Sequence, residues 1–338
     1  MREYIEKIKT WKENGDQVAL ARVVKTWGSS PRPAGSIMFI DSDGNMSGSV
    51  SGGCVEGAVV KRALESLENN SDTRLDYGVS DEDAWSVGLS CGGRIQVYLQ
   101  SVNFQDEVWS KLAESVQNNK SAILVSSLSE GSSTNTIITE DDEIIGDKLP
   151  DSVIAVAKES YRKRVHETYE TEGTSYFIHL FPRKPVLLII GAAHITVDLV
   201  SLGNMYGFET VVIDPRGFFA DNTEFNDPPS RIVKSYPSEV LGEYPLDSYT
   251  FAAILSHDPK IDDNALEVLL PSDVAYIGAL GSRKTHEKRK KRLLEKGITE
   301  DKLERINAPI GLGIHAKSAR EIALSVIAEI ISVKNAFL

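Results

Sequence analysis

The sequence predicts an α/β protein, with a C-terminal Rossmann-like, doubly wound parallel sheet preceded by a mixed α+β domain. Three observations predict it. Beyond Pro182, short apolar runs alternate with helical stripes, the pattern of a parallel sheet covered on both faces. Before it, helices and strands are mixed without that alternation. Between the two lies Phe181-Pro182-Arg183-Lys184-Pro185, where two prolines and two cations separate apolar Tyr176–Leu180 from Val186–Ile190. At about 150 residues per domain, a chain of 338 residues holds about two. The expected domains are 1–181, with a further division near 102, and 182–338.

The elements follow in order. Tyr4, Ile8 and Trp11 share one face of an opening helix, and Gln17–Thr26 alternates like a strand. Ser36–Ile40 runs into a hairpin-like turn at Asp41-Ser-Asp-Gly-Asn45. A helix carrying Val60, Leu64 and Leu67 comes next, then a strand at Arg94–Leu99. Residues 104–180 read as an αββ region with strands at Ala122–Val125 and Thr136–Thr139, and no internal repeat is visible. Val186–Ile190 is continuously apolar and ends at Gly191; Ile195, Leu199 and Leu202 then form a helical stripe. Further strands are expected at Glu209–Ile213, Arg231–Lys234, Tyr249–Leu255 and Val274–Gly278. Ser318-Ala-Arg-Glu321 is a capping box, and Ile322, Val326, Ile327, Ile330 and Ile331 form the apolar face of the last helix.

Charge and composition narrow the function. The net charge is −12. From Pro182 onward, 19 Lys and Arg face 21 Asp and Glu, which leaves 18 against 28 in the first 181 residues. An acidic half of this kind repels a phosphate backbone, and nucleic acid is not an expected partner. The basic run Arg283–Arg292 reads as a solvated helix face. The opening MREYIEKIK has no signal-peptide pattern, and no apolar run approaches the ~20 residues that span a bilayer. The expectation is a cytoplasmic protein without a membrane partner, whose two cysteines are thiols rather than a disulfide framework.

Two regions could carry chemistry. Glycine and serine crowd Gly28–Gly35 and Gly48–Gly57, and again Gly88–Gly93. Both cysteines lie in these tracts, one as Gly52-Gly53-Cys54 and one as Cys91-Gly92-Gly93. Glycine lets a backbone approach a ligand and aim its N–H groups at it. Cys54 is expected near a helix N-terminus, with Gly53 as N-cap and Glu56 at the third helical position, a setting that favours a thiolate. The second region is the rim formed by the C-terminal ends of the parallel strands, where such sheets bind ligands. It would carry His194, Asp214, Arg216, His257, Asp258, Ser282 and Arg283. A Gly-Ser-Arg turn at a helix start suits phosphate. Gly191-Ala-Ala-His194-Ile-Thr196 lacks two dinucleotide-fingerprint glycines, being Ala193 and Thr196 there, although Asp214 is spaced as a ribose partner would be. No HxH or HExxH spacing makes a metal site of His194, His257 and Asp258.

GSSPRPAGS, GSVSGGCVEGAV, GLSCGGRIQVYL, YIGALGSRKTHEKR, APIGLGI and EIALSVIAEII together resemble the xanthine dehydrogenase accessory factors, the XdhC/CoxI family, from about Trp27 to Ile331. The resemblance implies a chaperone without turnover of its own. Such a protein would bind molybdenum cofactor (molybdopterin), help it acquire its terminal sulfur with a cysteine desulfurase, and protect and deliver the sulfurated cofactor to a molybdenum hydroxylase such as xanthine dehydrogenase. It also implies a homodimer. Cys54 and Cys91 match the family's cysteine positions and become candidates for the molybdenum end of the cofactor. Asp214-Pro-Arg216, His257-Asp258 and Gly281-Ser-Arg283 match as well. The chain departs from the family at Gly191-Ala-Ala-His194, where Gly-Ala-Gly-His is usual, and at Gly311-Leu-Gly-Ile-His315, where Gly-Leu-Asp-Ile-Gly is common. The alternatives are an NAD(P)-dependent oxidoreductase, with His194 or His257 as proton donor, and a redox scaffold in which Cys54 and Cys91 pair reversibly.

Overall fold

The structure is a computed structural model that describes residues 1–78, 93–217 and 224–336. It divides into two compact units, Met1–Arg183 and Lys184–Leu338.

The first unit is built twice on one plan. Helix α1 (Ile5–Asn14) precedes β1 (Gln17–Trp27), β2 (Ile37–Ile40) and β3 (Met46–Gly48); then come α2 (Glu56–Asn69), β4 (Thr73–Tyr77) and β5 (Arg94–Asn103). Helix α3 (Glu107–Gln117) repeats the series with β6 (Ala122–Ser127), β7 (Asn135–Thr139), β8 (Ile144–Gly146), α4 (Asp151–Lys163), β9 (Glu167–Thr171) and β10 (Thr174–Phe181). Both sheets are antiparallel, and their orders, β3-β2-β1-β5-β4 and β8-β7-β6-β10-β9, are the same order. This corrects the αββ reading of 104–180, which omitted β8, α4, β9 and β10. It also supplies a repeat that the sequence conceals, because it is one of topology with no shared motif.

The two sheets pack on each other. Val18 to Val24 in β1 are all buried, where simple alternation would expose every second residue. Ala19, Ala21 and Val23 face α2, while Val18 and Leu20 meet Trp109 and Leu124 from the second half. A strand covered on both faces loses its alternating signal. Arg22, on the inter-sheet face, is fully buried; it donates to Ser126 Oγ (3.0 Å) and Gln100 Oε1 (2.9 Å). Helix α2 buries Val59, Ala63 and Ser66 most deeply, while the expected Val60 and Leu67 are partly buried against the same core cluster. The small residues allow close approach to the sheet, and Val60 and Leu64 lie against the turn at Gly44. That turn is held by Asp41 Oδ1, which accepts the amides of Asp43 and Asn45.

The second unit carries six parallel strands in the order β13-β12-β11-β14-β15-β16. In chain order these are β11 (Val186–Ile190), β12 (Glu209–Ile213), β13 (Arg231–Val233), β14 (Thr250–Ile254), β15 (Tyr276–Ala279) and β16 (Ile306–Asn307). This is the doubly wound Rossmann order, with the switch point between β11 and β14. Helices α5 (His194–Met205) and α10 (Ala319–Ala336) contribute to the apolar cluster on one face. Helices α6 (Pro237–Val240), α7 (Pro259–Leu269), α8 (Arg283–Glu295) and α9 (Glu300–Leu303) contribute to the cluster on the other. The capping box before α10 is made as expected: Glu321 accepts the Ser318 amide (2.9 Å), and Ser318 Oγ accepts that of Glu321 (3.3 Å). No helix among the described residues is long and apolar enough to cross a membrane.

Candidate functional site

One end of the first sheet gathers the glycine-rich segments. Strands β1, β3 and β4 end there, and β2 and β5 begin there. The tract 28–36, the loop 49–55 and the ends of the Gly78–Gly93 connection therefore share that end. Gly93 is pressed against the first tract: a Cβ on it would lie 2.6 Å from the Ser29 carbonyl oxygen. Cys91 and Gly92 lie outside the described residues.

The second half of the unit supplies a comparison. Its counterparts to the loop 49–55 and the connection 78–93 are 147–150 and 172–173, seven residues against four and sixteen against two. The topology therefore closes with shorter connections, and the extra length at 49–55 needs another explanation.

Glu56 organises the Cys54 loop. Its Oε1 accepts from Ser49 Oγ (2.7 Å) and the amides of Val50 (3.2 Å) and Ser51 (2.9 Å). Its Oε2 accepts from Ser51 Oγ (2.5 Å) and the Gly53 amide (2.8 Å). Burial alone would raise this carboxyl, but the Ser49 and Ser51 hydroxyls and the Ser51 amide outweigh it and bring it down to about 2. Ser51 Oγ in turn accepts the amides of Cys54 (3.0 Å) and Val55 (2.9 Å). Helix α2 consequently starts later than expected: Val55 is its N-cap and Glu56 its first residue, because these side chains turn the chain before the helix begins.

Gly52 and Gly53 are exposed, with φ of 76° and 114°, and a Cβ on either would meet nothing within 4 Å. Cys54 is half-buried and packs against the apolar cluster beneath α2. The loop thus presents open backbone beside a thiol that is partly in the core.

Beside this loop the first unit holds a cavity of about 760 Å³, to which the expected site residues do not belong. Ser49 is part of its wall, with Arg32, Gly35 and Ser36 from the first glycine tract and His166 and His179 from the second half. The two imidazoles meet edge to face, 5.1 Å between centroids. A Cβ on Gly35 would fall 2.5 Å from the His166 ring, and its φ of +87° independently favours glycine. Sequence reasoning missed both histidines; the only signal was His179 in an otherwise apolar strand, and only pairing of the two halves brings it to Gly35.

At the Rossmann rim, most expected residues are engaged within the protein. Asp214 is fully buried. It accepts from the Ala192 amide (2.8 Å), the Arg216 amide (2.9 Å) and the Arg216 guanidinium (2.8 and 2.9 Å). Burial would raise its carboxyl, but the Arg216 guanidinium and these amides hold it below the usual range. Thr196 Oγ1 donates to the Gly191 carbonyl (2.6 Å) and accepts the Ala193 amide (3.4 Å). Two first-turn amides that a pyrophosphate would need are thus occupied. Gly191 is required by its neighbour, since a Cβ there would lie 2.7 Å from Ser256 Cα.

Asp258 caps α7 by accepting the Lys260 amide (2.9 Å), and Ser282 caps α8 by accepting that of Thr285 (3.2 Å). His194, His257 and Arg283 are exposed; His257 has a φ of 62°. His194, His257 and Asp258 do not form a metal-ligating group, and no group of three or more His, Cys, Asp or Glu suited to a metal occurs among the described residues.

The basic run also departs from expectation. Arg289 is buried and pairs with Asp262 (3.2 Å), and Arg292 grips Asp263 (2.6 and 2.9 Å). Two of its cations therefore clamp α8 onto α7, and only part of the run is a solvated face.

Comparison with known proteins places this geometry among relatives. A family described as "XdhC Rossmann domain" matches residues 187–330, and "XdhC and CoxI family" matches residues 11–78. A protein of Bacillus subtilis (strain 168), named as a probable component of xanthine dehydrogenase, is 27% identical over 96% of this chain and 95% of its own length. The molybdenum cofactor insertion chaperone PaoD of Escherichia coli (strain K12) is 24% identical over 95% of this chain and 85% of its own. A crystal structure described as a xanthine dehydrogenase from Bacillus halodurans superposes with a TM-score of 0.76 at 27% identity, covering 98% of this chain and 96% of that one.

Proposed function

Because the chain belongs to the XdhC and CoxI family, we propose that it is a molybdenum cofactor accessory protein, which binds the cofactor as cargo and delivers it to a molybdenum hydroxylase such as xanthine dehydrogenase. In this reading it has no turnover of its own. A cysteine desulfurase supplies the cargo's terminal sulfur, and the chain acts in the cytoplasm as a homodimer.

The observation that carries the reading is the loop Ser49–Cys54. It is longer than its counterpart in the second half, is held by a buried carboxylate, and shows open backbone at Gly52 and Gly53 next to a thiol. A soft metal centre favours sulfur ligands, and exposed glycines let a bulky ligand approach the chain closely. Cys54 and Cys91 are proposed to hold the molybdenum end. Gly52 and Gly53 give the cargo room, Glu56 positions Cys54, and Gly92 and Gly93 are proposed to belong to the same site. At the rim, Arg216 and Ser282 are engaged with Asp214 and Thr285, and Arg283 is exposed.

The test is to make the protein in a cofactor-producing host and measure bound molybdenum, cyanide-labile sulfur and activation of the target hydroxylase. Cys54→Ser with Cys91→Ser should remove sulfur retention and target activation while the circular dichroism spectrum stays native. Unchanged cofactor binding and activation in that variant would refute the assignment.

A further inference from the structure

The cavity beside the Cys54 loop has the chemistry of a binding site and is unused by the assignments above. Its volume of about 760 Å³ falls in the range of small-molecule pockets, roughly 300–1,000 Å³. A bare oxyanion would leave most of that empty. Aromatic and apolar walls are present, including Tyr4 and Phe181, and suit a flat ring. Polar groups converge on it from four separate elements, and Glu3 is the one carboxylate among its lining residues.

Two lining groups bear directly on a ligand. His179 is only 2% exposed, and its Nδ1 has no hydrogen-bond partner, which is costly for a buried polar atom unless a ligand or solvent satisfies it. His166 accepts the Leu180 amide on Nδ1 (3.1 Å), so its neutral ring carries the proton on Nε2. Burial, the largest cause in each case, holds both imidazoles below their usual range. Arg2 is held in place by the carbonyls of Val116 (2.5 Å) and Pro182 (2.8 Å), and Arg32 is exposed.

We propose that this cavity binds a phosphorylated planar heterocycle, the phosphate meeting Arg2, Arg32 and Ser36 and the ring lying against His166 and His179. The proposal rests on the cofactor reading above and locates the cargo's pterin phosphate in the first unit. Ser49 ties the two features together, since it walls the cavity and donates to Glu56.

The experiment is calorimetric titration of the intact protein with the metal-free pterin phosphate, its dephosphorylated form and inorganic phosphate. The phosphorylated pterin should bind, and removing its phosphate should weaken binding at least 10-fold, the scale of one charge-assisted hydrogen bond. Arg32→Gln should weaken the phosphorylated form about as much and the dephosphorylated form hardly at all; Arg32→Lys should restore part of the loss. His179→Gln should weaken both forms. Equal binding of the two pterins, or wild-type affinity in both Arg32→Gln and His179→Gln, would overturn the proposal. Binding of inorganic phosphate that depends on Arg32, with no binding of either pterin, would overturn the pterin assignment together with the cofactor reading and leave only an oxyanion site. Pterin binding unaffected by the cavity variants, alongside normal delivery of cofactor, would sink the cavity and spare the function.

Discussion

Glu56 and Ser51 are joined twice: one carboxylate oxygen accepts the serine hydroxyl at 2.5 Å and the other accepts its amide at 2.9 Å. The Ser51 oxygen is thereby oriented to take the Cys54 and Val55 amides, so one buried carboxylate sets the path of the whole loop. Replacing it with an amide should disturb that path. In Glu56→Gln the side-chain NH2 faces donors instead of accepting from them, and the loss should be about 2–3 kcal/mol. Chemical denaturation should show it as a lower midpoint, with cofactor retention falling in parallel.

The same carboxylate should shape the response to acid. Its folded pKa, about 2, lies below the unfolded value of 4.5. The stabilisation it provides is therefore fully present above pH 4.5 and is lost as pH falls toward 2. Denaturation midpoints measured across that window should fall less steeply in Glu56→Gln than in the wild type. Parallel curves would show that Glu56 is not the group titrating.

Gly35 and His166 form a steric pair across the two halves of the first unit. A methyl group on Gly35 would collide with the imidazole, and its left-handed backbone adds a cost of its own, about 1–2 kcal/mol. Gly35→Ala should thus destabilise by more than that. Adding His166→Ala should recover the collision part and not the backbone part. A double-mutant cycle with no coupling would contradict this contact.

The buried pair Arg289–Asp262 should behave asymmetrically. Removing the cation alone, as in Arg289→Met, strands a carboxylate that burial already pushes upward, and should cost about 3–5 kcal/mol. The double variant Arg289→Met, Asp262→Leu should regain most of it. Thermal unfolding of the two variants measures the difference.

The Rossmann rim should respond weakly to nicotinamide dinucleotides. The Ala192 and Ala193 amides are engaged with Asp214 and Thr196, and Asp214 itself is occupied by Arg216. NAD(P)H at millimolar concentration should not raise the melting temperature measurably. A shift that grows with ligand concentration would reinstate the oxidoreductase alternative.

How much could be read in advance varied with how local the signal was. The parallel sheet was legible because each strand from Val186 to Gly278 carries its own apolar run and the helices between carry their own stripes. The capping box at Ser318 and Glu321 was legible for the same reason. The helix at α2 was legible from Val60 and Leu67, which pack on its core cluster, but not that Val59 and Ala63 would be the fully buried residues beneath it. The repeat in the first unit was invisible, because equivalent strands share an order and not a residue pattern.

The amino-acid order alone determined the fold class, the acidic first half and the unusual concentration of glycine, serine and cysteine, since these are properties of short stretches of chain. The tertiary structure alone decided that Glu56 would be consumed in shaping the Cys54 loop, that Asp214 would face Arg216, and that His166 and His179 would meet Gly35 beside a cavity. Hydrogen bonding and burial act between residues that are distant in sequence, so a side chain's availability for chemistry depends on neighbours that only folding supplies.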